Sequence, residues 1–215
     1  MIARDGLPVI LGTTIILFLL IILAVLLKFF VLWIIVIPVA VLFVFNFFFF
    51  RDPERYFDGP AEVIVAPADG KVILITQEEE PYFLKGKAQK ISIFMSVFNC
   101  HVNRIPANGT VDFLEYKKGQ FLAAFEHRTG ELNEQQIIGI TTSYGKILFK
   151  QIAGLIARRI VCKLELGQKV QRSQRFGMIK YGSRLDIFLP MDVEVKVRLN
   201  QKTRAGETII GVFSK

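Results

Sequence analysis

The chain has 215 residues, 52% of them hydrophobic and 21% charged, with 27 Lys and Arg against 19 Asp and Glu. That length holds one domain and an appendage and excludes a large multidomain assembly. Little of the sequence is low-complexity and polar, which excludes a disordered chain, and two cysteines, Cys100 and Cys162, exclude a disulfide scaffold.

The apolar excess is local. Nine of the twenty Phe lie in the first fifty residues, and from Pro8 to Phe50 the only formal charge is Lys28. A membrane-spanning helix takes roughly 20 apolar residues, and this segment is about twice that length. It predicts two helices, Pro8–Leu27 and Phe29–Phe49, turning at Lys28; one strongly tilted or partly interfacial helix is the alternative. Pro38 is tolerated inside a membrane helix, where neighbours re-satisfy the freed carbonyl. A cleavable signal fits poorly, because the run is too long and no small-residue cleavage site follows it. Arg4 precedes the run and Arg51 and Arg55 follow it, so the positive-inside rule places both ends in the cytoplasm. Residues 1–50 are thus read as a membrane anchor.

Residues 51–215 carry 25 Lys and Arg against 18 Asp and Glu. A basic domain at a cytoplasmic leaflet is drawn to an anionic bilayer surface. Nucleic acid, the other usual partner of basic surfaces, is disfavoured, because the basic residues do not cluster with interleaved aromatics. The segment 51–60, with Pro53, Asp58 and Gly59, reads as a link. Period-two alternation over Ile91–Phe98, Arg184–Leu189 and Val193–Asn200 predicts strands with one buried face. Asp69-Gly70, Asn108-Gly109, Tyr144-Gly145 and Pro190-Met191-Asp192 mark turns. Gly119–Arg128 predicts a minor helix with Phe121, Leu122 and Phe125 on one face, and the polar Glu131–Gln136 a loop. The class is mainly β, a β-rich α+β fold of sandwich or flattened-barrel type. Residues 64–72 and 201–211 share a cadence seen in barrel-sandwich hybrids, the architecture of lipoyl and biotinyl carriers.

Candidates for chemistry are few. Two His and two Cys have no zinc spacing, and neither a nucleotide loop nor a G-x-S-x-G elbow is present. Asp69 lies in an Asp-Gly turn. His101 ends the strand at Phe98-Asn99-Cys100-His101-Val102-Asn103-Arg104, where an imidazole can carry a proton near neutrality. His127 falls in a charged stretch and reads as solvent-facing. Gly182-Ser183 taken alone reads as a turn.

Taken together, Ala66–Val72, Ser96–Arg104 and Arg175–Asp186 resemble the short prokaryotic form of phosphatidylserine decarboxylase, as does the apolar start followed by Phe50-Arg51-Asp52-Pro53-Glu54-Arg55. The resemblance runs the length of the chain, in order. It implies a proenzyme cut between Gly182 and Ser183 by an N-to-O acyl shift and β-elimination. The products are a β chain, 1–182, and an α chain, 183–215, capped by a covalent pyruvoyl group made from Ser183. It implies decarboxylation of phosphatidylserine to phosphatidylethanolamine through a Schiff base on that group, with no metal and no pyridoxal phosphate. Asp69 matches the position assigned to self-cleavage, and His101 that assigned to decarboxylation. Arg104, Lys180 and Arg184 are read from their charge as substrate-binding. Longer members carry a second His three residues after the first, where this chain has Arg104. Asp69 acting alone, His101 serving both steps and Arg104 stabilising an oxyanion are all compatible with that departure. An ether lipid carrying phosphoserine would suit the same chemistry. From another class, a membrane-anchored carrier or adaptor module is the competing reading, with Met178-Ile179-Lys180 an imperfect match to a carrier lysine. Exposed strand edges and the hairpin favour self-association.

Overall fold

The computed structural model describes residues 1–28, 30–122, 132–155, 159–180 and 182–214. The chain divides into two units, Met1–Glu54 and Arg55–Lys215.

In the first unit, helix α1 (Leu7–Leu27) carries Pro8 in its first turn, where no backbone donor is required. It stops at Lys28, whose φ of 52° is a left-handed helix cap. Its 21 residues span about 32 Å at 1.5 Å each, the thickness of a bilayer core. A single 3-10 turn, Phe30–Leu32, leads into α2 (Trp33–Phe49), with Pro38 inside it. The hairpin is therefore as read, although its second helix starts later. The helices meet at Ala24 and Val36, both buried, and the Asn46 amide donates to Thr13 Oγ1 at 3.4 Å. Ile10 and Phe49 are buried as well, most of the other apolar side chains are exposed, and both helices are long and apolar enough to cross a membrane. The two ends of the hairpin are tied together. Ala3 N–H donates to the Phe50 carbonyl at 2.8 Å and Asp52 N–H to that of Met1 at 2.7 Å.

The second unit is built of strands, in chain order β1 (Val63–Val65), β2 (Gly70–Glu80), β3 (Gly86–Met95), β4 (Val102–Arg104), β5 (Gly109–Lys117), β6 (Gln135–Thr141), β7 (Lys146–Ala153), β8 (Arg159–Cys162), β9 (Lys169–Val170), β10 (Arg175–Lys180), β11 (Ser183–Pro190), β12 (Val193–Val195), β13 (Lys202–Thr203) and β14 (Ile209–Phe213). Eight of them form one antiparallel sheet, ordered β13-β2-β3-β11-β7-β6-β5-β9, curled into a half-barrel. Two three-stranded sheets, β1-β14-β12 and β4-β10-β8, complete the unit. The fold is mainly β, as the alternation implied. The two segments of similar cadence lie against each other: β13 pairs with the start of β2, and Ala66 N–H donates to the Thr208 carbonyl at 2.8 Å.

Three local expectations are corrected. The strand expected over 193–200 ends at Val195, because the chain changes partners: Lys196 N–H still bonds to Ile210, whereas Asn200 N–H bonds to Val72. Gly119–Leu122, the described part of the expected helix, is not helical. Gln120 bridges Asn133, and a Cβ on Gly119 would lie 2.4 Å from the Asn133 carbonyl carbon. The remainder of that segment, with Phe125 and His127, lies outside the described residues. Gln135 and Gln136, expected in a loop, open β6.

The single buried face predicted for β11 is also overturned, since Ser183–Leu189 is buried on both sides. β11 lies between β3 and β7, with Leu185, Ile187 and Leu189 in the main core. On the other face Arg184 makes a bidentate pair with Asp186, Nε–Oδ1 2.6 Å and Nη2–Oδ2 2.7 Å, both residues 1% exposed. Removing one partner of a buried pair strands the other charge, so Arg184→Ala is expected to cost about 3 kcal/mol or more in denaturant unfolding. Arg184→Met with Asp186→Leu is expected to recover most of that loss.

Candidate active site

Ser183 opens β11, opposite Met95 on one side and Ala153 on the other. It is fully buried, and its hydroxyl donates to the Met95 sulfur at 3.4 Å, a weak acceptor that leaves the oxygen lightly held. Gly182 has φ 76°, a left-handed conformation that a side chain disfavours. A Cβ there would meet nothing closer than 3.8 Å, so the backbone angle rather than crowding calls for glycine.

His101 is also fully buried. The turn that precedes it is closed by Asn99, whose side-chain oxygen accepts from Ser96 N–H at 2.9 Å and from Ser96 Oγ at 2.8 Å. His101 Nδ1 lies 3.0 Å from the Asn99 carbonyl, which can only accept, so Nδ1 carries the proton in that contact. Nε2 then faces the Gly182 N–H as acceptor, at 3.3 Å. The imidazole thus abuts the residue whose carbonyl precedes Ser183.

Asp69 sits at the end of β2, next to Gly70, where a Cβ would lie 2.2 Å from the Phe94 carbonyl oxygen. Its carboxylate is gripped by Arg55 through two nitrogens, Nη2–Oδ2 at 2.9 Å, and accepts from Ala205 N–H at 2.7 Å. The hydrogen bond that Arg55 donates to Asp69 holds the guanidinium above its usual pKa despite burial. Lys71 faces Phe94 across the sheet, so Asp69 and Ser183 share one end of it with β3 between them. Two strand spacings make that separation roughly 10 Å.

Of the three cations, Arg104 and Arg184 have partners of their own. Arg104 is buried and donates to the Ser173 carbonyl at 2.9 Å and to that of Arg55 at 3.5 Å. Arg184 is held by Asp186. Lys180 ends β10, half-buried. Since β10 and β11 lie in different sheets, Lys180 is not at a hairpin tip, the position a carrier lysine takes. Burial pushes the Cys162 thiol up, the wrong direction for a nucleophile. Among the described residues, no cluster of His, Cys, Asp and Glu is arranged to hold a metal ion. A cleft of about 840 Å3 lined by Tyr56, Asn108, Thr110, Ser143, Lys169 and Arg172 lies by the β5–β9 pairing and contains none of the candidate residues.

Three residues at the site were not read from the sequence: Met95, Asn103 and Gln151. All three are fully buried. The Gln151 amide donates to Asn103 Oδ1 at 2.8 Å, and Asn103 Nδ2 points to the Met95 sulfur at 3.7 Å. A carboxamide within the apolar run of β7 was the available signal.

The profile of the family described as phosphatidylserine decarboxylase matches residues 42–211. The chain is 52% identical over 166 residues to a phosphatidylserine decarboxylase proenzyme of Prosthecochloris aestuarii, covering 77% of this chain and 76% of that protein. It is 51% identical over 174 residues to one of Chlorobium phaeobacteroides, covering 81% and 82%. A proenzyme of the same name from Symbiobacterium thermophilum is 45% identical over 183 residues, covering 85% of each chain. The chain belongs to the phosphatidylserine decarboxylase family.

Proposed function

We propose that this chain decarboxylates phosphatidylserine to phosphatidylethanolamine, using a pyruvoyl group made from its own Ser183. The observation that carries the reading is the junction itself: a buried serine behind a left-handed glycine, with an imidazole nitrogen 3.3 Å from that glycine's N–H. The site fits the group. Ser183 Cβ becomes a methyl, and the thioether of Met95 offers it an apolar contact. A cut before Ser183 leaves β11 whole between β3 and β7, so the new terminus stays in place.

In the proposed self-cleavage, His101 takes the Ser183 hydroxyl proton and Oγ adds to the Gly182 carbonyl carbon. The Gly182–Ser183 C–N bond breaks, its nitrogen takes the proton from the imidazolium, and an ester forms. Loss of the residue-183 Cα proton with cleavage of Cβ–Oγ releases Gly182 as a carboxylate. The dehydroalanine left behind tautomerises, takes up water and releases ammonia to give the ketone. This ketone supplies the electron-accepting carbonyl that amino-acid side chains lack. His101 serves both steps in this account, first as base and then beside the substrate carboxylate. Asp69 contributes through its pairing with Arg55, which fixes the neighbouring strand end. Lys180, three residues before Ser183, is the cation assigned to the lipid phosphate.

The substrate lies in a bilayer, and the site end of the sheet suits that location. Phe98 follows Met95 by three residues and Leu155 follows Ala153 by two, and these side chains are 68% and 65% exposed. The flanking Arg4 and Arg51 support a cytoplasmic location for the catalytic unit through the positive-inside rule. Purified full-length protein supplied with carboxyl-labelled phosphatidylserine should release labelled carbon dioxide. Phe98→Asp with Leu155→Asp is expected to raise the apparent KM for lipid in vesicles about tenfold or more, since burying a charge in the interface is unfavourable. Turnover of a short-chain, water-soluble phosphatidylserine should be unchanged. Absence of label release by the wild type from either substrate would overturn the reading.

A further inference from the structure

Four fully buried side chains form a continuous chain of contacts behind the Gly182–Ser183 bond. Ser183 Oγ and Asn103 Nδ2 converge on one atom, the Met95 sulfur, at 3.4 and 3.7 Å. Asn103 is turned that way by Gln151, whose Nε2 holds Asn103 Oδ1 at 2.8 Å. Among the described residues, Gln151 Oε1 is buried without a hydrogen-bond partner. An unsatisfied buried amide oxygen costs free energy, and a thioether at 3.7 Å is a poor partner for an amide donor. A hydrophobic pair of similar shape would pack β7 against β4 without that penalty. The arrangement thus holds a donor against the same sulfur as the serine oxygen, with only a thioether to bond among the described residues.

The geometry points to Asn103 as a hydrogen-bond donor held in reserve for Ser183 Oγ during self-cleavage, with Gln151 as its positioning residue. As Oγ gives up its proton, and before it bonds to the Gly182 carbonyl carbon and passes the charge to the carbonyl oxygen, negative charge builds on an oxygen that rests against sulfur. Asn103 Nδ2–H transfers its bond from the Met95 sulfur to that oxygen. No bond to Asn103 forms or breaks, and the proton still passes to His101. A donor that engages only as charge develops lowers the barrier without holding the ground state. The inference rests on the reading that this chain cleaves itself before Ser183.

Self-cleavage itself is the readout. Full-length chain synthesised in a pulse is followed into its two fragments across a pH series, and each variant is expressed as a ratio to wild type at the same pH. Asn103→Leu is expected to slow conversion about a hundred-fold at every pH, the usual effect of losing one oxyanion donor. Asn103→Asp keeps the acceptor for Gln151 and donates only when protonated. Its ratio should stand near wild type at about pH 6 and fall toward the Leu value at about pH 9, since burial raises a carboxyl pKa. Gln151→Leu leaves Asn103 unoriented and should give an intermediate loss of about tenfold, below the full donor effect. A purely packing role predicts an Asp deficit that does not follow pH. That outcome, or wild-type rates for Asn103→Leu, would overturn the inference while leaving self-cleavage standing. A wild-type chain that never divides removes the reading beneath it, and the inference with it.

Discussion

Ser183→Ala is expected to give one undivided chain of 215 residues and no decarboxylation above background. The change removes a single oxygen from a site closed by Met95 and Ala153, so the strand and its register should persist. Among the described residues the hydroxyl donates only to a thioether, and its loss strands no strong partner there. What disappears is the nucleophile, and with it both the ester and the ketone derived from it. Because the second depends on the first, the effect on turnover should be complete rather than partial. A gel comparing wild type and variant, together with a far-UV spectrum showing that the variant is folded, checks this.

The second large effect is expected at His101. His101→Ala should slow self-cleavage by 10²–10⁴-fold, the usual contribution of a positioned base. Any enzyme that does mature should lose turnover to a similar degree, because the same ring serves both steps. The imidazole reaches the Gly182 amide only because Asn99 closes the preceding turn and accepts from Nδ1. If Asp69 were the base instead, His101→Ala would leave cleavage near the wild-type rate and impair turnover alone. Following fragment formation and product formation separately decides between the two.

These roles differ in how far they were legible in the sequence. The hairpin could be read because charge is absent from Pro8 to Phe50 except at Lys28, and the helix caps at that lysine. The strand class could be read because Ile91, Ile93, Leu185 and Ile187 keep a period of two, and all four lie in the core. That period says which side chains share a face. It does not say whether the opposite face is solvated, and Arg184 and Asp186 were misjudged for that reason: two adjacent-face charges that satisfy each other can be buried. The same blindness extended the strand at Val193 to Asn200, since alternation continues while the backbone moves from β14 to β2.

At the site, the order of motifs singles out Asp69, His101 and Ser183 as candidates, yet not their relations. Only the register shows that His101 meets Gly182 while Asp69 lies one strand beyond, occupied by Arg55. Arg55 read as a flanking charge of the membrane segment; its place beside Asp69 depends on a contact across 14 residues of chain. Asn103 stands inside the Ser96–Arg104 motif, but a carboxamide has no legible chemistry until its partners are known. Gln151, 48 residues away in sequence from Asn103, is visible only in three dimensions.

The measurement that tests the central claim most directly is intact mass spectrometry of the purified wild-type chain. The account predicts two species, residues 1–182 and 183–215. The smaller should be resistant to N-terminal sequencing and lighter by one ammonia than the same segment with a free terminal serine. A single mass for all 215 residues in a preparation that decarboxylates phosphatidylserine would contradict it.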